Sequence, residues 1–418
     1  MDLFTLVTLL IVVAAAFAYI NTRLLKLPDA IGIMVVSLLF SATLLALNGV
    51  RPDWFALVRQ AARQIDFYAV LFHVMLCFLL FAGAFHTDAA KLRVERRSVM
   101  LFALVGVLIA TLLVGTGLYY AAGWLGYGLS YPLCLLFGAL ISPTDPIAVL
   151  GILAKFKLPD SVKLNIVGES LFNDGVGVVV FAAIYQIVAK GPGSVSAGEI
   201  LGSFVREAGG GVVFGLVIGQ LMYRLLRSVD HYQTEVLITL AGVMGGYALA
   251  HALHVSGPLA MVVAGLLVGA PSREDAMSDL TGEYMDKFWE LIDVVLNALL
   301  FVLIGIELLN IGLKPAYWPI GLLAVAIVLL ARYLSILIPY RLARRWLTLD
   351  DKAPLMLTWG GLKGGISVAL ALSISDAIAH KDLIVTITYV VVLFSVIGQG
   401  LTLERLIRRL YPADNTDG

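Results

Sequence analysis

Charge is what this chain has least of. Only 14% of its 418 residues are Asp, Glu, Lys or Arg, 60% are hydrophobic, and the mean hydropathy is +0.94. Soluble domains are nearer a quarter charged, so this composition excludes a water-soluble fold and reads as a polytopic membrane protein. Net charge is lacking too: 29 basic residues balance 29 acidic ones, and no nucleic-acid partner is expected. Cysteine is nearly absent. Cys77 and Cys134 both lie in apolar runs, offer neither a disulfide framework nor metal-ligand spacing, and are expected as buried free thiols. The start, MDLFTLVTLLIVVAAAFAYI, lacks a basic n-region and runs into Arg23 and Lys26, so it reads as a retained first membrane helix.

What is present is long apolar runs. A helix needs about 20 apolar residues to cross the hydrocarbon core. Cutting at polar clusters predicts thirteen spans, at 3–20, 29–48, 67–86, 99–122, 131–153, 164–189, 200–226, 234–253, 256–270, 289–311, 317–339, 354–378 and 383–403. Loops after odd-numbered spans hold 20 of the 29 basic residues, including Arg273. The opposite loops hold seven: Arg51, Arg59, Arg63, Lys190, Arg206, Lys314 and Lys381. Positive residues mark the cytoplasmic side, which puts the N-terminus outside and the short tail at 410–418 inside, in an inner or plasma membrane of prokaryotic type. Two basic residues remain within spans, Arg332 and Lys363, and intramembrane charge defaults to function.

Two spans are interrupted. Span five contains Ser142-Pro143-Thr144-Asp145-Pro146, where two prolines remove amide donors and clash with the preceding turn. Span twelve contains Gly360, Gly361, Gly364 and Gly365 around Lys363, which weakens the helix at the same relative depth. Each break falls in the fifth span of a six-span half, with span seven as linker. That is the pattern of a transporter built from two inverted repeats, spans 1–6 and 8–13, with discontinuous helices. Two packing kinks are the plainer alternative. Crossed half-helices would set dipole ends face to face, with Asp145 compensating the positive N-terminal ends and Lys363 the negative C-terminal ends.

Span six carries GESLFND. Ser170 and Asp174 are four residues apart, as are Glu169 and Asn173, so the two pairs lie on helix flanks about 100° apart. A hard monovalent cation wants oxygens, and Asp174, Ser170 and the carbonyls freed at the Thr144 break would supply them. Glu169 has a counter-ion in Arg332, the arginine deep in span eleven. The expected division of labour is Asp174 as ion and proton carrier, with Glu169–Arg332 as a structural pair. The alternative makes Asp174 a structural acid too, paired with Lys363. One carboxylate exchanging a proton for one monovalent cation moves no net charge.

These residues resemble the NhaP-type sodium/proton antiporters, in the monovalent cation:proton antiporter family that includes the animal sodium/proton exchangers. LPDAIGIMVVSLL, GALISPTDPIAVL, VGESLFNDGVGVVVF, VSGPLAMVVAGLLVG, FWELIDVVLNALLFVLIGIEL and WGGLKGGISVALAL occur in family order across nearly the whole chain. The resemblance implies Na+ (or Li+)/H+ antiport, electroneutral because of the Asn173-Asp174 pair, with no cofactor and a role in pH homeostasis. It implies that Asp174, Ser170 and the Thr144 backbone line the ion site while Asn173 helps hold the core. It also implies a homodimer. Helices 4–6 (99–189) and 11–13 (317–409) would form the transport core, with 1–98 and 190–316 forming the dimerisation part. Three positions depart from the pattern. Lys363 stands where many relatives have Arg, keeping the charge but losing the planar fork. Ala82 lies near where many have an acid, which would thin the ion's coordination. His251 stands where many have Glu, and it either modulates response to pH or is structural. The other histidines, at 73, 86, 231, 254 and 380, carry no clearer signal.

Rival classes fit less well. A passive channel would show pore loops or a charged ring, and an intramembrane aspartyl protease needs Gly-x-Gly-Asp and Tyr-Asp motifs, which this sequence lacks. A potassium/proton antiporter of the same fold uses the same oxygens and stays open.

Overall fold

The computed structural model describes residues 3–48, 52–191, 196–269, 278–311 and 314–412. Arg51, Arg273, the end of span nine at 270 and the tail from 413 lie outside the described residues.

The described chain is helical, without strands. Ten helices are long and apolar enough to cross a membrane: α1 (Phe4–Leu25), α2 (Asp29–Leu47), α4 (Phe67–Phe85), α5 (Ala89–Trp124), α8 (Asp160–Lys190), α9 (Leu201–Arg227), α10 (Tyr232–Ala252), α12 (Asp279–Ile311), α13 (Trp318–Trp346) and α16 (Lys381–Leu410). The shorter α11 (Gly257–Val268) is span nine. Two broken pairs, α6 (Tyr131–Ile141) with α7 (Ile147–Leu153) and α14 (Ala353–Gly360) with α15 (Gly365–Leu372), are spans five and twelve. One span between two six-span halves makes the second half enter from the opposite side, which inverts the repeats.

The boundaries differ where helices outlast their apolar stretch. Span four is predicted from 99, but α5 begins at Ala89 because Asp88 caps it, accepting from the amides of Ala90 and Lys91 at 3.0 Å each. The basic segment with Lys91, Arg93, Arg96 and Arg97 is therefore helix, not loop. Likewise α8 begins at Asp160 and α12 at Asp279. Hydropathy marks the hydrocarbon boundary, whereas caps mark the helix boundary. One further helix was expected as loop: α3 (Pro52–Arg63), which buries Phe55 and Ala62, two turns apart on one face.

Small residues close the seams, as membrane packing requires. On α9, Gly211, Gly215 and Gly219 face Ser256, the N-cap of α11, and Ala260 and Ala264 within it. Around the breaks, α5 packs on α6 and α13, α8 packs on α6, and α13 packs on α16. On the other side α12 packs on α2 and α4, and α11 on α4 and α9. The two broken pairs lie where these groups meet.

Candidate functional site at the crossing of the broken helices

The breaks meet as two short non-helical segments. The Asp145 amide donates to the Leu362 carbonyl at 2.7 Å, an isolated bridge between span five and span twelve. Non-helical backbone at membrane depth must be satisfied by protein or by water in a cavity, and this bond does part of that. Close approach depends on glycine. A Cβ on Gly364 would lie 2.5 Å from Asp145 Oδ2, and one on Gly361 would lie 2.7 Å from the Arg332 guanidinium.

Dipole ends find charges here. Lys363 is 4% exposed, and its Nζ donates to the Ser142 carbonyl at 3.0 Å and the Pro143 carbonyl at 3.2 Å, at the C-terminal end of α6. The ammonium thus sits where the half-helix leaves carbonyls without intrahelical donors. Asp145, against Gly364, lies at the start of α15. The Lys363 amide donates to Ser395 Oγ at 2.9 Å, and Ser395 Oγ donates to Gln399 Oε1 at 2.6 Å, so α16 braces the crossing.

The four polar residues of GESLFND separate into three environments. Glu169 is 1% exposed and takes a two-pronged contact from Arg332, Nη1 to Oε1 and Nη2 to Oε2, the latter at 2.9 Å. Nη2 also donates to the Leu357 carbonyl of α14 at 3.3 Å. Planar bidentate geometry of this kind is what arginine offers and lysine does not. Ser170 and Asn173 both engage Thr144 at the break. Thr144 Oγ1 lies 2.9 Å from Ser170 Oγ, Asn173 Nδ2 donates to Thr144 Oγ1 at 2.7 Å, and the Thr144 amide donates to Asn173 Oδ1 at 3.2 Å. Asp174, 7% exposed, lines a cavity instead, and no described residue donates a hydrogen bond to its carboxylate.

That cavity holds about 90 Å³ open to water-sized molecules. Leucines from α4, α7, α8 and α12 are the commonest residues of its walls, and its polar groups are Thr144, Asp145, Asp174, Asp293 and Ser367. Ser367 Oγ is buried without a hydrogen-bond partner. A second, solvent-facing funnel shares Gly83, Leu150, Val167 and Asp293 with it and widens toward His86, Lys91, Asp160 and Lys163. The two spaces therefore adjoin, and the funnel lies on the face carrying the Lys91 and Lys163 segments.

Other expected positions lie apart from it. Ala82 is fully buried, and α4 contributes Leu76, Leu79, Leu80 and Gly83 to the cavity, none with a side-chain oxygen. His251 is exposed at the end of α10, its ring edge-on to His73 at 6.4 Å. Cys77 and Cys134 are buried free thiols. Sequence reasoning missed Asp293, Asn297, Ser367 and the Ser395–Gln399 brace. Asp293 lies four residues inside the predicted start of span ten, and its spacing to Asn297, also four, was the available signal.

Residues 11–409 match the family described as "Sodium/hydrogen exchanger, transmembrane". The chain is 47% identical to the Na(+)/H(+) antiporter NhaP of Pseudomonas aeruginosa over 99% of both chains. It is 34% identical to the Na(+)/H(+) antiporter NhaH of Halobacillus dabanensis over 98% of both. The solved structure of the sodium proton antiporter MjNhaP1 from Methanocaldococcus jannaschii at pH 8 aligns with a TM-score of 0.74 at 23% identity, covering 96% of this chain and 100% of that one, a likeness of fold.

Proposed function

Because this chain belongs to the sodium/hydrogen exchanger family, we propose that it is a secondary transporter, not an enzyme, exchanging Na+ or Li+ for H+ one for one. The observation that carries the site assignment is Asp174. Glu169 is neutralised by Arg332, whereas Asp174 faces the cavity with no donor among the described residues. Asp174 takes a proton or a cation in turn. Ser170, Thr144 and the backbone at the break supply further oxygens to the cation, while Asn173 holds Thr144 in place. Both loaded forms leave the site with the same charge, so the exchange is electroneutral. Sodium and protons are the substrates, and no other cofactor takes part.

The packing around the crossing supports a transport core of 99–189 and 317–409 that moves against a dimerisation part formed by 1–98 and 190–316, with a second copy of the chain as partner. The excess of basic residues on one face supports a cytoplasmic C-terminus, which makes the funnel at Lys91 and Lys163 an inward-facing path.

Proteoliposomes with a trapped pH dye test this. Sodium or lithium gradients should drive opposite proton movement at a rate unchanged when the membrane potential is clamped. Wild-type exchange by Asp174→Asn would remove the carrier assignment, and a rate that follows voltage would remove the one-for-one stoichiometry. Potassium run in the same assay decides between the sodium reading and a potassium/proton exchanger.

A further inference from the structure

We propose that Asp293 and Asn297 form a second subsite for the monovalent cation beside the Asp174 cavity, where Asp293 lines both that cavity and the solvent-facing funnel and Asn297 lines the adjoining cleft. The antiport reading enters only in naming the ion.

Three observations converge on this pair. First, Asp293 is the one carboxylate shared by both spaces; the other residues common to them, Gly83, Leu150 and Val167, have no side-chain oxygen. It also lines a third cleft, with Asn297, Asp29 and Lys155. Second, the pair is pre-arranged. The two residues are four apart on α12, and Asn297 Nδ2 donates to the Asp293 carbonyl at 2.8 Å and to Asp293 Oδ1 at 3.0 Å. With the amide nitrogen so engaged, Asn297 Oδ1 is left buried without a donor, in a residue only 5% exposed. A buried amide oxygen with no partner calls for an explanation. Third, no described lysine or arginine forms an ion pair with Asp293. Its ionisable neighbours include His86 and Glu290, with Asp29 and Lys155 in the third cleft and Lys91, Asp160 and Lys163 in the funnel, and both His86 nitrogens lie against backbone carbonyls, Ala82 at 2.9 Å and Asp286 at 3.3 Å.

A carboxylate and an unpartnered amide oxygen on one helix face are the ligand types a hard cation prefers. Placed beside the cavity, they offset part of the ion's lost hydration and raise its concentration next to Asp174. The subsite holds the ion in transit and is not the carrier, so it leaves the stoichiometry unaltered.

Thallium(I) binding to purified protein separates this subsite from the carrier. Asp174→Asn should retain weak Tl+ binding that Asp174→Asn/Asp293→Asn loses. In proteoliposomes, Asp293→Asn should raise the half-saturating Na+ concentration on the funnel side by about tenfold, with maximal rate within about twofold, and Asp293→Glu should restore it. Asn297→Asp, which adds a carboxylate and keeps the volume, should lower it. Equal Tl+ binding by the single and double variants overturns the subsite, as does an Asp293→Asn protein whose maximal rate falls while its half-saturation stays fixed. Should Asp174→Asn exchange at the wild-type rate, the carrier assignment fails, and the comparison of Asp293→Asn with wild type still reads the subsite.

Discussion

Lys363 of span twelve donates through its Nζ to the Ser142 and Pro143 carbonyls of span five, at 3.0 and 3.2 Å. One side chain thus terminates the half-helix of the opposite repeat. Replacing it by Met should leave those carbonyls without their donor and the surrounding carboxylates without their cation. A loss of about 3–5 kcal/mol is expected, read as a lower melting temperature in detergent together with loss of exchange. Arginine at the same position, which keeps the charge, should retain more of both.

Glu169→Gln should destabilise by a similar amount, because it strands the Arg332 charge, which is 6% exposed. Replacing both partners with apolar residues, Glu169→Leu with Arg332→Met, should recover part of that loss. If the double variant melts no higher than the single one, the pair acts through something besides mutual neutralisation.

Gly364→Ala sets a methyl group 2.5 Å from Asp145 Oδ2. Overpacking of this kind costs about 1–3 kcal/mol, and here it pushes apart the two breaks themselves. Exchange should fall by more than stability does. Gly360→Ala is the control: its new methyl group would lie no closer than 3.3 Å, to the flexible end of Ile166, and it should be nearly silent.

Competition between proton and cation for Asp174 fixes a pH dependence. As pH falls, the protonated fraction rises and sodium must displace more bound protons. On the acid side the half-saturating Na+ concentration should climb by about tenfold per pH unit while the saturated rate stays level. A saturated rate that falls in step instead would point to two separate sites.

Thirteen crossings and both breaks are legible in the sequence because they follow from strong local physics: long apolar runs, Pro143 and Pro146 within one helical turn, and four glycines around Lys363. Helical spacing also separates Asp174 from Glu169, because flank is a local property. What sequence did not reveal is which distant elements complete the site. The Ser395 brace arrives from α16, and Asp293 reaches the cavity from α12 only because of how that helix leans on α2 and α4. The helical start of α5 was missed for a different reason: polarity ends a hydrophobic run without ending a helix, and Asp88 extends it into water.

The charges gathered at the crossing carry a consequence for valence. At the crossing itself Asp145, Asp174 and Glu169 set three negative charges against the two positive ones of Lys363 and Arg332, one negative charge in excess, with Asp293 apart on α12. A proton or any alkali ion cancels that remainder. Magnesium or calcium overshoots it and leaves an excess positive charge in a medium that solvates charge poorly. At the crossing, the count of buried charges thus favours a monovalent ion before any filter of size.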